Sequence, residues 1–248
     1  MKIKFILIFH LLVFTHLMAQ QTDNRFFELR TYYTYDGRMP ALINRFQNHT
    51  LQIFERHGMA NIGYWVASSD SNKLMYILAY PNREARDQSW KDFSADPEWQ
   101  KVAADSEKDG KIVAKVESVF MSLADFSPAL KENDNHHPSR VFELRMYTML
   151  PGKFPDIVQR FANHTKALFS KHGMTNVAYW ISEEGEGQQS RLIYILAHDS
   201  EEAAKQSFAN FRVDPEWMDV KAKSEENGAI TDKIESQYMK PLVFSKIN

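Results

Sequence analysis

The sequence predicts an α+β protein: two ferredoxin-like βαββαβ units in one chain, forming an intramolecular pseudo-dimeric α+β barrel. Three observations lead there. The chain repeats itself at a nearly fixed spacing. Within each copy the hydrophobic period alternates between two residues and about 3.6. The order of those periods is strand, helix, hairpin, helix, strand.

The repeat comes first. Phe27-Glu28-Leu29-Arg30 recurs as Phe142-Glu143-Leu144-Arg145, 115 positions later. The same spacing relates Asn48-His49-Thr50 to Asn163-His164-Thr165, His57-Gly58-Met59 to His172-Gly173-Met174, and Tyr64-Trp65 to Tyr179-Trp180. From there it becomes 118, matching Tyr76 to Tyr194 and Asp96-Pro97-Glu98-Trp99 to Asp214-Pro215-Glu216-Trp217. The three additional residues fall between Trp180 and Tyr194, where Gly185-Glu186-Gly187 marks a longer turn.

Each element of the first copy has its own signal. Phe27, Leu29, Thr31 and Tyr33 alternate with Glu28, Arg30 and Tyr32, which is a strand with two unlike faces. Pro40 opens a helix with Leu42, Phe46, His49 and Ile53 along one side, and Gly58 closes it. Ile62 to Ala67 and Leu74 to Tyr80 are apolar runs joined by a Ser/Asp/Asn turn, hence a hairpin. A second helical stretch starts near Arg83, breaks near Ala95 and restarts with Asp96 as N-cap and Pro97 in the first turn. Lys115 to Met121 is the closing strand. Two helices cover one face of such a sheet and leave the other bare, so the two bare faces should close on each other with the helices outside. Glu28, Arg30 and Tyr32, with Glu143, Arg145 and Tyr147, are expected to point into that barrel.

The division along the chain is 1–19 as a signal peptide, 20–124 and 140–248 as the two repeats, and 125–139 as the linker. Lys2 and Lys4 precede an apolar run from Phe5 to Leu17 and a small-residue exit at Ala19, the pattern of a secretory leader. The run is short of the ~20 residues that span a membrane. Export to a periplasmic or extracellular location is therefore the expectation. With no cysteine in the chain, no disulfide can support the fold there. The net charge of −2 is mild and argues against nucleic acid or, once the leader is cleaved, a membrane as partner. A homo-oligomer is neither required nor forbidden.

The strings FELRTYYTYDGRMP (27–40), RFQNHTLQIFERHGM (45–59), GYW (63–65) and ADPEW (95–99), in that order and with twins in the second copy, resemble the NIPSNAP family of the dimeric α+β barrel superfamily. The resemblance implies the fold just derived and, in animal mitochondrial members, a role linked to mitochondrial quality control. It brings no catalytic residues to this chain. More distant barrel relatives include cofactor-independent monooxygenases and haem-degrading enzymes.

Candidate chemistry is confined to a few polar positions. His49 and His164 fall on the apolar sides of their helices, where an imidazole would either line a pocket as acid or base or be satisfied in the core by a carbonyl or by Thr50 or Thr165. His57 and His172 precede the closing glycines and suit the negative end of a helix dipole. Arg30, Tyr32, Arg145 and Tyr147 are ligand-binding candidates, with Trp65, Tyr76, Trp180 and Tyr194 as aromatic walls. For the arginines the alternative is mutual satisfaction with Glu28 and Glu143. No metal site is expected, and no cofactor is predicted, haem being the one named alternative. Asp96-Pro97-Glu98-Trp99 needs only to cap a helix and bury a tryptophan. The leading expectation is a protein that binds a small apolar or aromatic molecule in a cleft between helix and sheet. The rivals are a cofactor-independent or haem-using monooxygenase and a non-catalytic scaffold.

Overall fold

A computed structural model describes residues 23–132, 140–184 and 189–248. The expected leader, linker residues His136, His137 and Pro138, and the Gly185-Glu186-Gly187 turn lie outside the described residues.

Strand β1 (Phe26–Thr34) leads into a helix made of α1 (Met39–Arg45), a π turn (Phe46–Thr50) and α2 (Leu51–Arg56). Strands β2 (Ala60–Ala67) and β3 (Lys73–Tyr80) form the hairpin. Helices α3 (Arg83–Ala95) and α4 (Pro97–Ser106) come next, and β4 (Val113–Leu123) completes the unit. The second copy repeats every element: β5 (Val141–Met149), α5 (Phe154–Arg160), a π turn (Phe161–Thr165), α6 (Lys166–Lys171), β6 (Thr175–Ser182), β7 (Arg191–His198), α7 (Glu201–Arg212), α8 (Pro215–Ser224) and β8 (Thr231–Pro241). The capping signals act as expected. Pro40 sits in the first turn of α1, and the Asp96 carboxylate accepts from the N–H groups of Glu98 (2.8 Å) and Trp99 (3.3 Å) at the start of α4. Gly58 takes φ +76° where α2 must turn back into β2, a conformation costly for any residue with a Cβ.

The strands close into one barrel in the order β1-β3-β2-β8-β5-β7-β6-β4. Each copy contributes four antiparallel strands, and two seams join them. At one, Trp65, Val66 and Ala67 of β2 pair with Pro241, Lys240 and Met239 of β8. At the other, Met121, Ser122 and Leu123 of β4 pair with Ser182, Ile181 and Trp180 of β6. The chain beyond each copy's last strand crosses to the other copy and clasps it. Ser127 Oγ accepts from the Tyr179 N–H (3.0 Å), and Ser245 Oγ from the Tyr64 N–H (2.9 Å).

Three apolar clusters result. One fills the barrel and draws on both copies, with Phe27, Leu29, Trp65, Met75 and Ile77 meeting Phe142, Leu144, Trp180, Ile193 and Ile195. The other two lie between each half-barrel and its own helices. Inside the barrel the aromatic contacts are reciprocal: Phe27 packs on Trp180 at 6.1 Å and Trp65 on Phe142 at 5.9 Å between ring centroids.

One expectation is reversed. Because Phe27 and Leu29 face the barrel interior, the alternation of the strand sends Glu28, Arg30 and Tyr32 outward beneath the helices, and Glu143, Arg145 and Tyr147 do the same. The apolar set of β1 was needed on the side where two sheets meet, since that side is sealed from water by both.

The two copies are not packed alike inside. A Cβ built on Gly63 would lie 2.2 Å from the Trp65 ring, so that indole is folded over a glycine; Ala178 holds the matching place before Trp180. Gly63→Ala should therefore destabilise the protein by about 1–3 kcal/mol, the usual cost of overpacking a filled core, while Ala178→Gly should cost less than that. Urea unfolding midpoints of the two variants check the order.

Candidate ligand site

The barrel has two unlike ends. Beside Phe142 the inner cluster is overlaid by Ile247 from the C-terminal tail and Leu130 from the segment after β4, and a crevice of about 350 Å³ runs between these segments, lined by Phe142, Val177 and Ile247. Toward Tyr33 the interior opens as a cavity of about 630 Å³. Its walls are Leu29, Met75, Val119, Leu144, Met146 and Gln237, and its rim carries Thr31, Tyr33, Lys73, Glu117, Arg191 and Glu235. The change from apolar to charged can be traced along single strands: on β3 it runs Ile77, Met75, Lys73, and on β7 it runs Ile195, Ile193, Arg191. The volume lies within the range of small-molecule sites, ~300–1,000 Å³.

The rim carboxylates are engaged by neighbours. Tyr33 donates its hydroxyl to Glu117 (2.9 Å), and Lys115 lies 2.5 Å from the same carboxylate. Burial and that carboxylate push the Tyr33 hydroxyl up to about 12, whereas Lys115 above all, with help from Tyr33, holds Glu117 below its ordinary value. Glu235 pairs with Lys233 at 2.8 Å. Deeper in the barrel, the indole N–H groups of Trp65 and Trp180 are buried and find no acceptor among the described residues.

The outward face holds a second polar cluster in each copy. Glu28, fully buried, lies 2.6 Å from Arg30, accepts twice from Arg86 (2.8 and 3.0 Å), and accepts from Trp90 Nε1 (3.1 Å) and Tyr80 (3.2 Å). Burial alone would raise its carboxyl; Arg86 and Arg30 outweigh that and hold it below the usual range. Arg30 also donates to Tyr76 (2.9 Å) and stacks on Trp90 at 4.1 Å. In the second copy Tyr80, Arg86 and Trp90 are replaced by His198, Ala204 and Phe208. There Glu143 is held by Arg145 (2.5 Å), Ser236 and His198 (3.3 Å), and His198 Nδ1 is buried with no partner among the described residues. Arg30 and Arg145 are thus each paired with the carboxylate two residues before it on its strand.

The proposed aromatic walls are divided between two layers. Trp65 and Trp180 stand inside the barrel, while Tyr76 and Tyr194 lie under the helices. Tyr76 stacks on Tyr64 at 5.2 Å and meets Phe46 at 5.3 Å; Tyr194 stacks on Tyr179 at 5.1 Å and meets Phe161 at 5.3 Å. These rings are fully buried and fill the space between helix and sheet where a cleft was expected.

His49 and His164 are exposed, not on the buried side of their helices. The reason is the π turn. The Leu51 N–H reaches back five residues to the Phe46 carbonyl, and one additional residue in a turn rotates the rest of the helix by about 100°. Thr50 then takes the inward place, its Oγ1 donating to the Arg45 carbonyl (3.1 Å), and Thr165 repeats this with Arg160 (3.2 Å). His164 borders a polar surface crevice of about 380 Å³ between α5 and α8, in the company of Lys153, Asp156, Asp219 and Lys223. His57 and His172 do more than end a helix: each lies 2.7 Å from the capping aspartate, Asp96 or Asp214, and so ties one helix end to the start of another. Nothing in the spacing alone pointed to Arg86, Trp90 or His198, because partners of Glu28 and Glu143 come from elements far along the chain.

Fold and mouth together define a class: a single-chain α+β barrel built from a duplicated ferredoxin-like unit, with a cavity opening at the Tyr33 end. The NIPSNAP family model matches residues 27–128 and again 142–246, and the chain belongs to that family in two tandem copies. Among solved structures it is similar to a putative monooxygenase from Lactobacillus acidophilus, with 8% identity, 88% of this chain and 94% of that chain covered, and a TM-score of 0.59. An anthrone oxidase-like protein matches at 12% identity over 90% of this chain and 94% of that one, TM-score 0.52. A NIPSNAP family protein with unknown function from Agrobacterium tumefaciens is 25% identical over 43% of this chain and 95% of its own, TM-score 0.39. Among curated proteins no match was found.

The polar clusters can be tested in two ways. Glu28→Gln leaves two guanidinium groups facing a neutral amide and should cost about 3–5 kcal/mol, the range for breaking a buried ion pair by removing one partner. Glu143→Gln, which strands one guanidinium, should cost less; denaturant midpoints decide. Asp96 is held far below its ordinary value by His57 and Arg56, and Asp214 by Lys171 and His172. A depressed carboxyl stabilises the fold above its unfolded value of about 4, and the contribution is lost as pH falls below that. Asp96→Asn with Asp214→Asn keeps the helix caps but removes the charges. Melting temperatures between about pH 4 and pH 2 should therefore fall less steeply in the double variant than in the parent.

Proposed function

We propose that the protein binds a small, largely apolar molecule in the open end of its barrel. The carrying observation is the cavity of about 630 Å³ whose inner walls are Leu29, Met75, Leu144 and Met146, in a protein whose helix–sheet layers are filled by stacked aromatic rings. A concave apolar space with a few polar groups at its entrance is the ordinary form of a small-molecule site. Fold likeness to proteins described as a putative monooxygenase and an anthrone oxidase-like protein is compatible with small-molecule binding but transfers no reaction. The monooxygenase alternative has less support, since His49 and His164, named for its acid–base step, are exposed on the helix surface. Export remains part of the proposal on the strength of residues 1–19, and the mature N-terminus in culture or periplasm should then be Gln20.

An uncharged probe tests the binding reading. Dodecanol, added below the concentration at which it aggregates, should change the fluorescence of Trp65 and Trp180 saturably with one site per chain. Met146→Trp fills the mouth and should weaken that binding at least tenfold while the melting temperature stays within a few degrees. No saturable response in the parent protein would favour the scaffold reading instead.

A further inference from the structure

We infer that the molecule bound in the barrel mouth is an amphiphilic carboxylate, its apolar part between Leu29 and Leu144 and its carboxylate held at the rim by Lys73 and Arg191. This rests on the mouth being the binding site and adds the chemistry of what enters.

The two copies present the same signs of charge around the opening. Strand alternation turns Lys73, Lys115 and Glu117 of the first copy toward the mouth, and the matching positions of the second carry Arg191, Lys233 and Glu235. Four cations thus surround two carboxylates on a chain whose net charge is −2. Each carboxylate has its own partner: Lys115 lies 2.5 Å from Glu117, which also accepts from Tyr33, and Lys233 lies 2.8 Å from Glu235. Lys73 and Arg191 remain, one from each copy, half-buried and with no carboxylate within ion-pair distance among the described residues. Lys73 acts on Glu117 only through longer-range attraction and lies over the Tyr33 ring at 5.7 Å.

Unpaired cations beside apolar walls attract an anion more strongly than the same charges in open solvent, because the walls focus the field. An arginine fork matches a carboxylate with two parallel hydrogen bonds. The Leu and Met walls then take the apolar chain or ring system.

Calorimetric titration of the full chain with four twelve-carbon probes of equal tail, each below its micelle concentration, separates the alternatives. Dodecanoate should bind about tenfold or more tighter than dodecanol at low salt, the size of one charge-assisted hydrogen bond, and salt should narrow the gap. Lys73→Gln with Arg191→Gln should abolish the preference and leave dodecanol binding in place. Dodecylammonium binding as tightly as dodecanoate would overturn the inference, and dodecyl phosphate binding more tightly would overturn the choice of carboxylate. Equal binding of dodecanoate and dodecanol would sink the anion preference while leaving the mouth as a site. Failure of dodecanol and dodecanoate alike would remove the site itself.

Discussion

The structure depends on two uncovered sheet faces burying each other. Each ferredoxin-like unit has helices on one side alone, so its inner face, with Phe27, Trp65, Met75 and Ile77 or their counterparts, would stand in water if the unit stood apart. Comparing magnitudes shows which interaction closes the barrel. Each seam is a ladder of three residue pairs, whose hydrogen bonds contribute roughly 1 kcal/mol apiece after the cost of leaving water. Fully burying one large apolar side chain contributes about 1.5–3 kcal/mol, and Phe27, Trp65, Phe142 and Trp180 are all buried between the sheets. The seams set the register, and the apolar interior supplies most of the closing energy.

The same constraint produces the open end. A closed eight-stranded barrel has room for side chains along its whole length, and here the inward positions stay apolar from Phe27 to Leu29 and turn polar at Thr31 and Tyr33. Charged groups cannot fill an interior without partners or water, so the barrel is packed where Ile247 and Leu130 lie and opens where Lys73 and Arg191 stand. Closure also makes the mouth a joint property of both copies. Neither half encloses it alone.

The copies differ under the helices and at the mouth alike, where Thr31 and Val119 of the first correspond to Met146 and Gln237 of the second, but the charged positions of the mouth keep their sign. Around the mouth, Leu29, Lys73 and Glu117 face Leu144, Arg191 and Glu235, equivalent in kind. Under the helices, Tyr80, Arg86 and Trp90 of the first copy become His198, Ala204 and Phe208 of the second, and a carboxylate held by two guanidinium groups becomes one held by an arginine, a serine and a histidine. Each arrangement need satisfy only its own half-barrel, so one can change without the other. The rim is shared, and a change of sign on one side would alter the field felt by both.

By itself the sequence determined the duplication, the order of elements, the caps at Pro40 and Asp96, and the need for the two sheets to meet, because these are local patterns or direct consequences of an unburied apolar face. It also named the residues of the outer polar clusters in part: Glu28 and Arg30 are two apart on one strand face. Only the tertiary structure decided which side of β1 is inside, since period-two alternation defines two faces without saying which one a second sheet will cover. It alone placed Thr50 inward in place of His49, because a π turn leaves no mark in a hydrophobic pattern read at 3.6 residues per turn. The mouth was invisible for a related reason. Its walls come from β1, β3, β4, β5, β7 and β8, strands that are separated along the chain and become neighbours when the barrel closes.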